Sequence, residues 1–200
     1  MVTGKPDRLI VGISGASGAI LGIRALQLLQ PTPIETHLVI SKAAALTISS
    51  ETDSSVDDIK SLADVTYPAA DISAAISSGS YKTRGMIIAP CSIKTLGEIS
   101  SGITSNLLSR AADVVLKERR RLVLMLREAP LHAGHLKQAL AVTEMGAVVS
   151  PPVPAFYTNP ESIDEMVTQM VARSLDLFDI DCINLKRWGE DFDINGEKNS

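Results

Sequence analysis

The stretch Val11–Gly22, VGISGASGAILG, reads as a strand that gives way within four residues to glycines and serines and then to a helix. Gly12, Gly15 and Gly18 alternate there with Ser14 and Ser17. A turn of this composition presents bare backbone N–H groups and hydroxyls at a helix N-terminus, which suits one phosphate or a polar ring edge. A Walker A loop needs a lysine after its glycines, and none follows, which disfavours a nucleoside triphosphate. A dinucleotide fingerprint needs an acid at the end of the second strand; here LVISK ends in Ser41 and Lys42, which disfavours NAD. The same residues also suit a purely structural role, with Ser17 capping the helix and the glycines letting strand and helix pack closely.

Working outward, apolar runs alternate with helical patterns. Strands are expected at 8–14, 35–41, 85–90, 121–127 and 146–152. Helices are expected from Ser17 to Leu29, from Ala43 to Ser50, from the end of GMIIAP to about Ile99, and at 103–119, 134–145 and 160–178. Between Thr52 and Arg84 the chain reads as one short helix and a small-residue loop. Strand–helix alternation means right-handed crossovers and a parallel sheet, and strands apolar on both faces need helices on both. The fold class is therefore α/β, a doubly wound, mostly parallel sheet in a flavodoxin-like or Rossmann-like three-layer sandwich. Residues 1–185 are expected to form one domain and 186–200 a polar tail.

Two hundred residues with 45% hydrophobic content suffice for one large core. A net charge of −4 and only one Trp, three Tyr and three Phe argue against a nucleic-acid partner. No apolar run is long enough for a membrane span. Cys91 and Cys182 stand far apart without a CxxC neighbour, so neither a disulfide framework nor a zinc site is expected, and a reducing cytoplasm fits. Cys91 reads as a small core residue, and His37, His132 and His135 have no recognised metal spacing.

In an open parallel sheet, ligands gather beyond the carboxyl ends of the strands. Those ends deliver Ser14 to Gly18, Ser41, the group Cys91, Ser92 and Thr95, the pair Arg127 and Glu128, and the segment SPPVPAFY. Arg110 and Lys117 are seven residues apart on one helix face and could clamp a phosphate, or form a salt-bridge ladder with Asp113 between them.

GISGASGAILG, ETHLVISKAA, APCSIKTL, RAADVVLKERRRLVL, REAPL, PPVPAFY and VARSLD, running in order from about Arg8 to Trp188, resemble the UbiX family of flavin prenyltransferases. The resemblance implies a dodecamer that moves a dimethylallyl group from dimethylallyl phosphate or diphosphate to N5 and C6 of reduced FMN, without a metal. It also implies that the prenylated FMN serves a UbiD-type decarboxylase of aromatic or unsaturated acids, including a step of ubiquinone synthesis. The family's FMN contacts fall on Gly15, Ala16, Ser17, Ser41, Ser92, Ile93, Lys94, Thr95 and Arg127. Its phosphate-binding set falls on Arg110, Lys117, Tyr157 and Arg173, and its catalytic set on Ser17, Glu51, Lys117 and Glu128. Cations and the Tyr157 hydroxyl would stabilise the departing phosphate most as the allylic C–O bond breaks, and Glu128 with Ser17 would relay the proton released at C6.

Two segments depart from the pattern. HAGHLKQA (132–139) stands where many relatives read SSIHLENM, and Ile72 stands where some carry an aromatic residue. The alternatives are an FMN-dependent cysteinyl decarboxylase of related fold and a non-catalytic flavin carrier. The first is disfavoured because APCSIKT replaces its PASANT-like loop.

Overall fold

A computed structural model describes residues 7–181 and 185–191; Cys182 and the end of the polar tail lie outside them. Six strands form one sheet: β1 (Arg8–Ile13), β2 (Glu35–Ile40), β3 (Val65–Pro68), β4 (Gly85–Cys91), β5 (Arg121–Leu126) and β6 (Val148–Val149). They lie in the order β3-β2-β1-β4-β5-β6, and every neighbouring pair is parallel. The chain thus winds outward from the middle to one edge, returns, and winds to the other. The reversal leaves a crevice between β1 and β4 at their carboxyl ends.

The helices are α1 (Ile20–Leu29), α2 (Lys42–Glu51), α3 (Val56–Lys60), α4 (Ile93–Ser100), α5 (Leu107–Lys117), α6 (Ala133–Glu144) and α7 (Ile163–Asp176). Alternate residues of a strand point to opposite faces. Leu9, Val11 and Ile13 accordingly pack with Leu26, Ile48, Ile59 and Leu175, from α1, α2, α3 and α7. Ile10, Met86 and Ile88 pack on the other face with Leu96, Leu108 and Val142, from α4, α5 and α6. Both faces of β4 are covered, which is why GMIIAPC is buried at every position. Cys91 is in that core, and burial pushes its thiol up to about 12.

Several boundaries differ from the sequence reading. α5 starts at Leu107 rather than at 103, because Asn106 caps it: its Oδ1 accepts the N–H groups of Leu108 (2.9 Å) and Ser109 (3.2 Å). Arg119, at φ 55°, follows its end. α7 starts at Ile163, with Ser162 accepting the N–H of Glu165 at 3.1 Å. β3 falls in the stretch read as irregular; it is a short edge strand that ends in a proline, and no position along it is fully buried. The start of the tail is tied down: Lys186 Nζ donates to the Thr158 carbonyl (3.3 Å), and Arg187 pairs with Asp176. No described helix is long and apolar enough to cross a membrane.

Candidate active site

Ser14, buried at the end of β1, was expected to face a ligand. The structure turns it inward: its hydroxyl donates to the Pro90 carbonyl (2.7 Å) and accepts the Ser92 N–H (2.7 Å), joining β1 to β4 at the crevice. Beside it the Ser41 N–H donates to Ile13 (3.0 Å), and the Ser41 hydroxyl caps α2 by accepting the Ala44 N–H (3.1 Å). Ser92 caps α4, accepting the Thr95 N–H (3.3 Å) and donating to the Thr95 hydroxyl (3.1 Å). Gly15 is where α2 crosses closest to this turn. A Cβ there would lie 2.4 Å from that of Ala43, so no larger residue fits.

These elements enclose a cavity of about 710 Å³, within the usual range for small-molecule sites. Its polar lining is Ser41, Ser92, Thr95, Ser105 and Asn106, with the cations Lys42 and Lys94 and no carboxylate. Leu46, Ala69, Ala70 and Leu108 supply apolar wall. A second cavity of about 410 Å³ adjoins it, sharing Ser41, Lys42, Ala69 and Ala70. A further cavity of about 610 Å³ lies between α1 and α7, remote from the crevice. It is edged by Glu161 and Glu165, and its one arginine, Arg24, is already paired with Asp164.

The glycine-rich turn holds a group from its own chain. Glu51, at the end of α2, accepts the N–H groups of Gly18 (2.7 Å) and Ala19 (3.2 Å) through Oε2 and also takes a hydrogen bond from the Ser17 side chain. α1 therefore begins at Ile20, three residues later than expected, with no cap from Ser17; the cap is the Glu51 carboxylate. Burial raises this carboxyl, but the Ser17 hydroxyl, the two N–H groups and the Arg127 charge together hold it below the ordinary carboxylate range. Gly18 supports the approach with φ 100°.

Glu128 follows Arg127 beyond β5. Its Oε1 accepts the N–H of Ala129 at 3.0 Å, and it is exposed beside the rim. Gly15, Ala16, Ser17, Ser41, Glu51, Ser92, Ile93, Lys94, Thr95, Arg127 and Glu128 thus gather along the carboxyl ends of β1, β2, β4 and β5. Lys94 points outward to Glu98.

The other four do not join them within one chain. α5 starts at the cavity, where Asn106 lines it, and runs away from it, so Lys117 lies about 16 Å further along at 1.5 Å per residue. Lys117 pairs with Glu118 (2.6 Å) beside Gly79, close to Arg121, which begins β5 opposite Gly85 at the far edge of the sheet. Arg110, midway, pairs with Asp113 (2.8 Å) and donates to the Ser77 carbonyl (3.3 Å). The ladder reading is realised at Arg110 and Asp113. Arg173 lies on α7, across the sheet from α5, and pairs with Asp176 (3.0 Å). Tyr157 sits in the loop after β6, edge-on to Trp188 at 5.3 Å. Within one chain these groups do not meet, because the sheet itself separates Arg173 from Arg110 and Lys117.

Ile72 is 64% exposed and lies just outside the cavity lining, which ends at Ala70. His132 caps α6 by accepting the Gly134 N–H at Nδ1 (3.0 Å), and its ring stacks on His135 with centroids 3.5 Å apart. No group of three or more metal-ligating side chains is assembled among the described residues. Sequence reasoning missed Lys42, Ser105 and Asn106 as lining. Lys42 was visible beside Ser41 but was weighed only as the absence of an acid.

Residues 3–175 match the family model described as Flavoprotein. The chain is 61% identical to the flavin prenyltransferase UbiX of Escherichia coli K12 over 174 residues, 86% of this chain and 92% of that one. Its backbone is similar to that of AnUbiX (PadA1) in complex with FMN and dimethylallyl pyrophosphate, with a TM-score of 0.91 and 50% identity over 92% of this chain and 98% of the other. It is also similar to a dodecameric, FMN-dependent UbiX-like protein of Escherichia coli O157:H7, with a TM-score of 0.89 and 51% identity over 90% and 98% of the two chains.

Proposed function

This chain belongs to the UbiX flavin prenyltransferase family, and on that premise we propose how its residues divide the work of prenylating FMN. The enzyme transfers a dimethylallyl group from its phosphorylated donor to FMN. The observation that carries the reading is the 710 Å³ cavity at the β1/β4 switch point, rich in hydroxyls and lysines and free of carboxylate. Its hydroxyl and ammonium side fits a phosphate, and its alanine and leucine wall fits an apolar ring. The flavin, when bound and reduced, supplies the nucleophile, with new bonds at N5 and C6.

Ser17 and Glu128 border the reacting edge. Ring closure releases one proton, which Glu128 accepts and passes on with the Ser17 hydroxyl. Glu51 was expected to act as a second acid or base. Its hydrogen bonds favour the charged form, so it works as a fixed carboxylate that orients the Ser17 turn.

Arg110, Lys117, Tyr157 and Arg173 neutralise the departing phosphate as the allylic C–O bond breaks. Arg110 and Lys117 lie on one face of the sheet and Arg173 on the other, and a dodecameric relative exists. We therefore place the complete site where copies of the chain meet: one copy contributes the flavin cavity, and its neighbours contribute the cations. The prenylated flavin then passes to a UbiD-type decarboxylase in the cytoplasm. The high-identity relatives are prenyltransferases, and neither the cysteinyl decarboxylase nor the carrier reading is favoured.

The test is anaerobic incubation with reduced FMN and dimethylallyl phosphate, or the diphosphate in parallel, followed by mass spectrometry of the extracted flavin. A flavin heavier by one five-carbon unit is expected. Unmodified flavin with both donors would reject the assignment.

A further inference from the structure

We infer that Arg120 is a positioning residue for prenyl transfer: it fixes the loop 77–81 on which Arg110 and Lys117 both lean, an inference that rests on the donor reading of those two cations above. The loop falls in the small-residue stretch SAAISSGS (73–80) and the tyrosine that follows it. The Ser77 carbonyl accepts Arg110 Nε at 3.3 Å. Two residues on, Gly79 faces the Lys117–Glu118 pair so closely that a Cβ there would overlap the Glu118 carboxylate and lie 2.7 Å from Lys117 Nζ. Both cations therefore take their position from one short loop.

The end of α5 holds that loop. Arg119, at φ 55°, turns the chain out of the helix; its N–H donates to the Leu116 carbonyl (3.0 Å) and that of Arg120 to the Val115 carbonyl (2.9 Å), as at a Schellman helix end. Of three consecutive arginines this turn leaves Arg119 and Arg121 exposed and brings Arg120 inward, its side chain 16% exposed. The Arg120 guanidinium donates through Nη2 to the Gly79 carbonyl (2.6 Å) and through Nη1 to the Tyr81 carbonyl (2.8 Å). A planar fork spans the loop in a way that an ammonium cannot. Nη2 also lies 4.0 Å from Glu118 Oε2 while Lys117 bonds Oε1 (2.6 Å), so the carboxylate that holds Lys117 is shared between two cations. Beyond the fork, Tyr81 meets the His37 ring edge-on at 5.6 Å, and Arg8 lies over its own ring at 4.5 Å. Arg110 and Lys117 can exchange their exposed carboxylates for a phosphate, and the loop pinned by Arg120 decides where they stand when they do.

Full-length protein with reduced FMN is assayed for flavin prenylation against rising dimethylallyl phosphate, or the diphosphate where the wild type uses it. The chains compared are the wild type, Arg120→Gln, Arg120→Lys, Gly79→Ala, Arg121→Gln, Lys117→Gln and the double variant Lys117→Gln/Arg120→Gln, each with its FMN affinity and melting curve. Arg120→Gln is expected to raise the donor KM about tenfold, the scale of one lost hydrogen bond from a charged group, with FMN affinity within twofold. Arg120→Lys, which keeps the charge but not the fork, should raise it about threefold. Gly79→Ala should raise it as Arg120→Gln does, and Arg121→Gln should match the wild type. The double variant should fall short of the product of its single effects, because Arg120 acts in part through Lys117. A donor KM unchanged in Arg120→Gln or in Gly79→Ala would overturn the inference, as would a fall in kcat alone that follows the melting temperature. So would an equal rise in Arg121→Gln, or a double variant that reaches the full product. Should Arg120→Gln not fold, Arg120→Lys and Gly79→Ala decide by the same criteria. A wild-type rate and donor KM in Lys117→Gln would instead overturn the donor reading itself.

Discussion

The two edges of the sheet are built for different degrees of completeness. At the carboxyl edge, short side chains and caps close on one another: Ser14 ties β1 to β4, Ser41 and Ser92 cap their helices, and Glu51 caps α1 from the end of α2. Toward the amino edge and the outer helix faces, the long side chains Arg110, Lys117 and Arg173 form ion pairs with carboxylates one to three residues away, and Arg110 adds a hydrogen bond to the Ser77 carbonyl. Exposed pairs of that kind contribute little and exchange partners readily. That contrast supports the proposed division, in which one chain holds the flavin half of the site and the cations of the donor half serve another surface.

The strongest way to break that comparison is to mix inactive copies. Lys117→Gln and Glu128→Gln are each expected to slow prenylation about a hundredfold or more while FMN binding stays within twofold. If the two residues serve one site from different copies, oligomers reassembled from a mixture regain part of the activity, because some sites draw both intact residues. Mixed oligomers as inactive as their parents would place Lys117 and Glu128 in the same chain's site and reverse the division.

The carboxyl edge was the legible part of the sequence. A hydroxyl or glycine at a strand end is fixed by the backbone it caps, so Ser41, Ser92 and the 15–18 turn could be placed from position alone. Lys117 and Arg173 could not be placed, since a helix period gives the face of a side chain but not the partner helix across which it acts. Glu51 was missed as a cap because its partners are more than 30 residues away. β3 was missed because four partly exposed residues ending in proline carry neither a clear alternation nor a buried run.

Ser14 sharpens the comparison on the finished side. Ser14→Ala strands the Ser92 N–H and removes a donor from the Pro90 carbonyl in a buried place, and is expected to cost about 2 kcal/mol in urea unfolding. It should also weaken FMN binding, since α4 is set by the same contact. A loss below about 0.5 kcal/mol would mean that water replaces the hydroxyl. On the unfinished side, Arg173→Ala should raise the KM for the prenyl donor about tenfold with FMN affinity unchanged. A change in FMN affinity instead would move Arg173 into the flavin half.

The smallest expected effect falls where the two halves touch, at Glu51. Glu51→Ala removes the cap of α1, and cap losses are about 1 kcal/mol. The pH dependence distinguishes this cap from a neutral one. The folded-state carboxyl is held below its ordinary value, so its stabilisation is fully present above the unfolded carboxylate range near pH ~4.3 and is lost as pH falls through the lower folded value. Unfolding free energies of wild type and Glu51→Ala should therefore differ by a constant amount at neutral pH and converge in acid. A difference that persists unchanged to the lowest pH at which both remain folded would show that the contact does not depend on the charge.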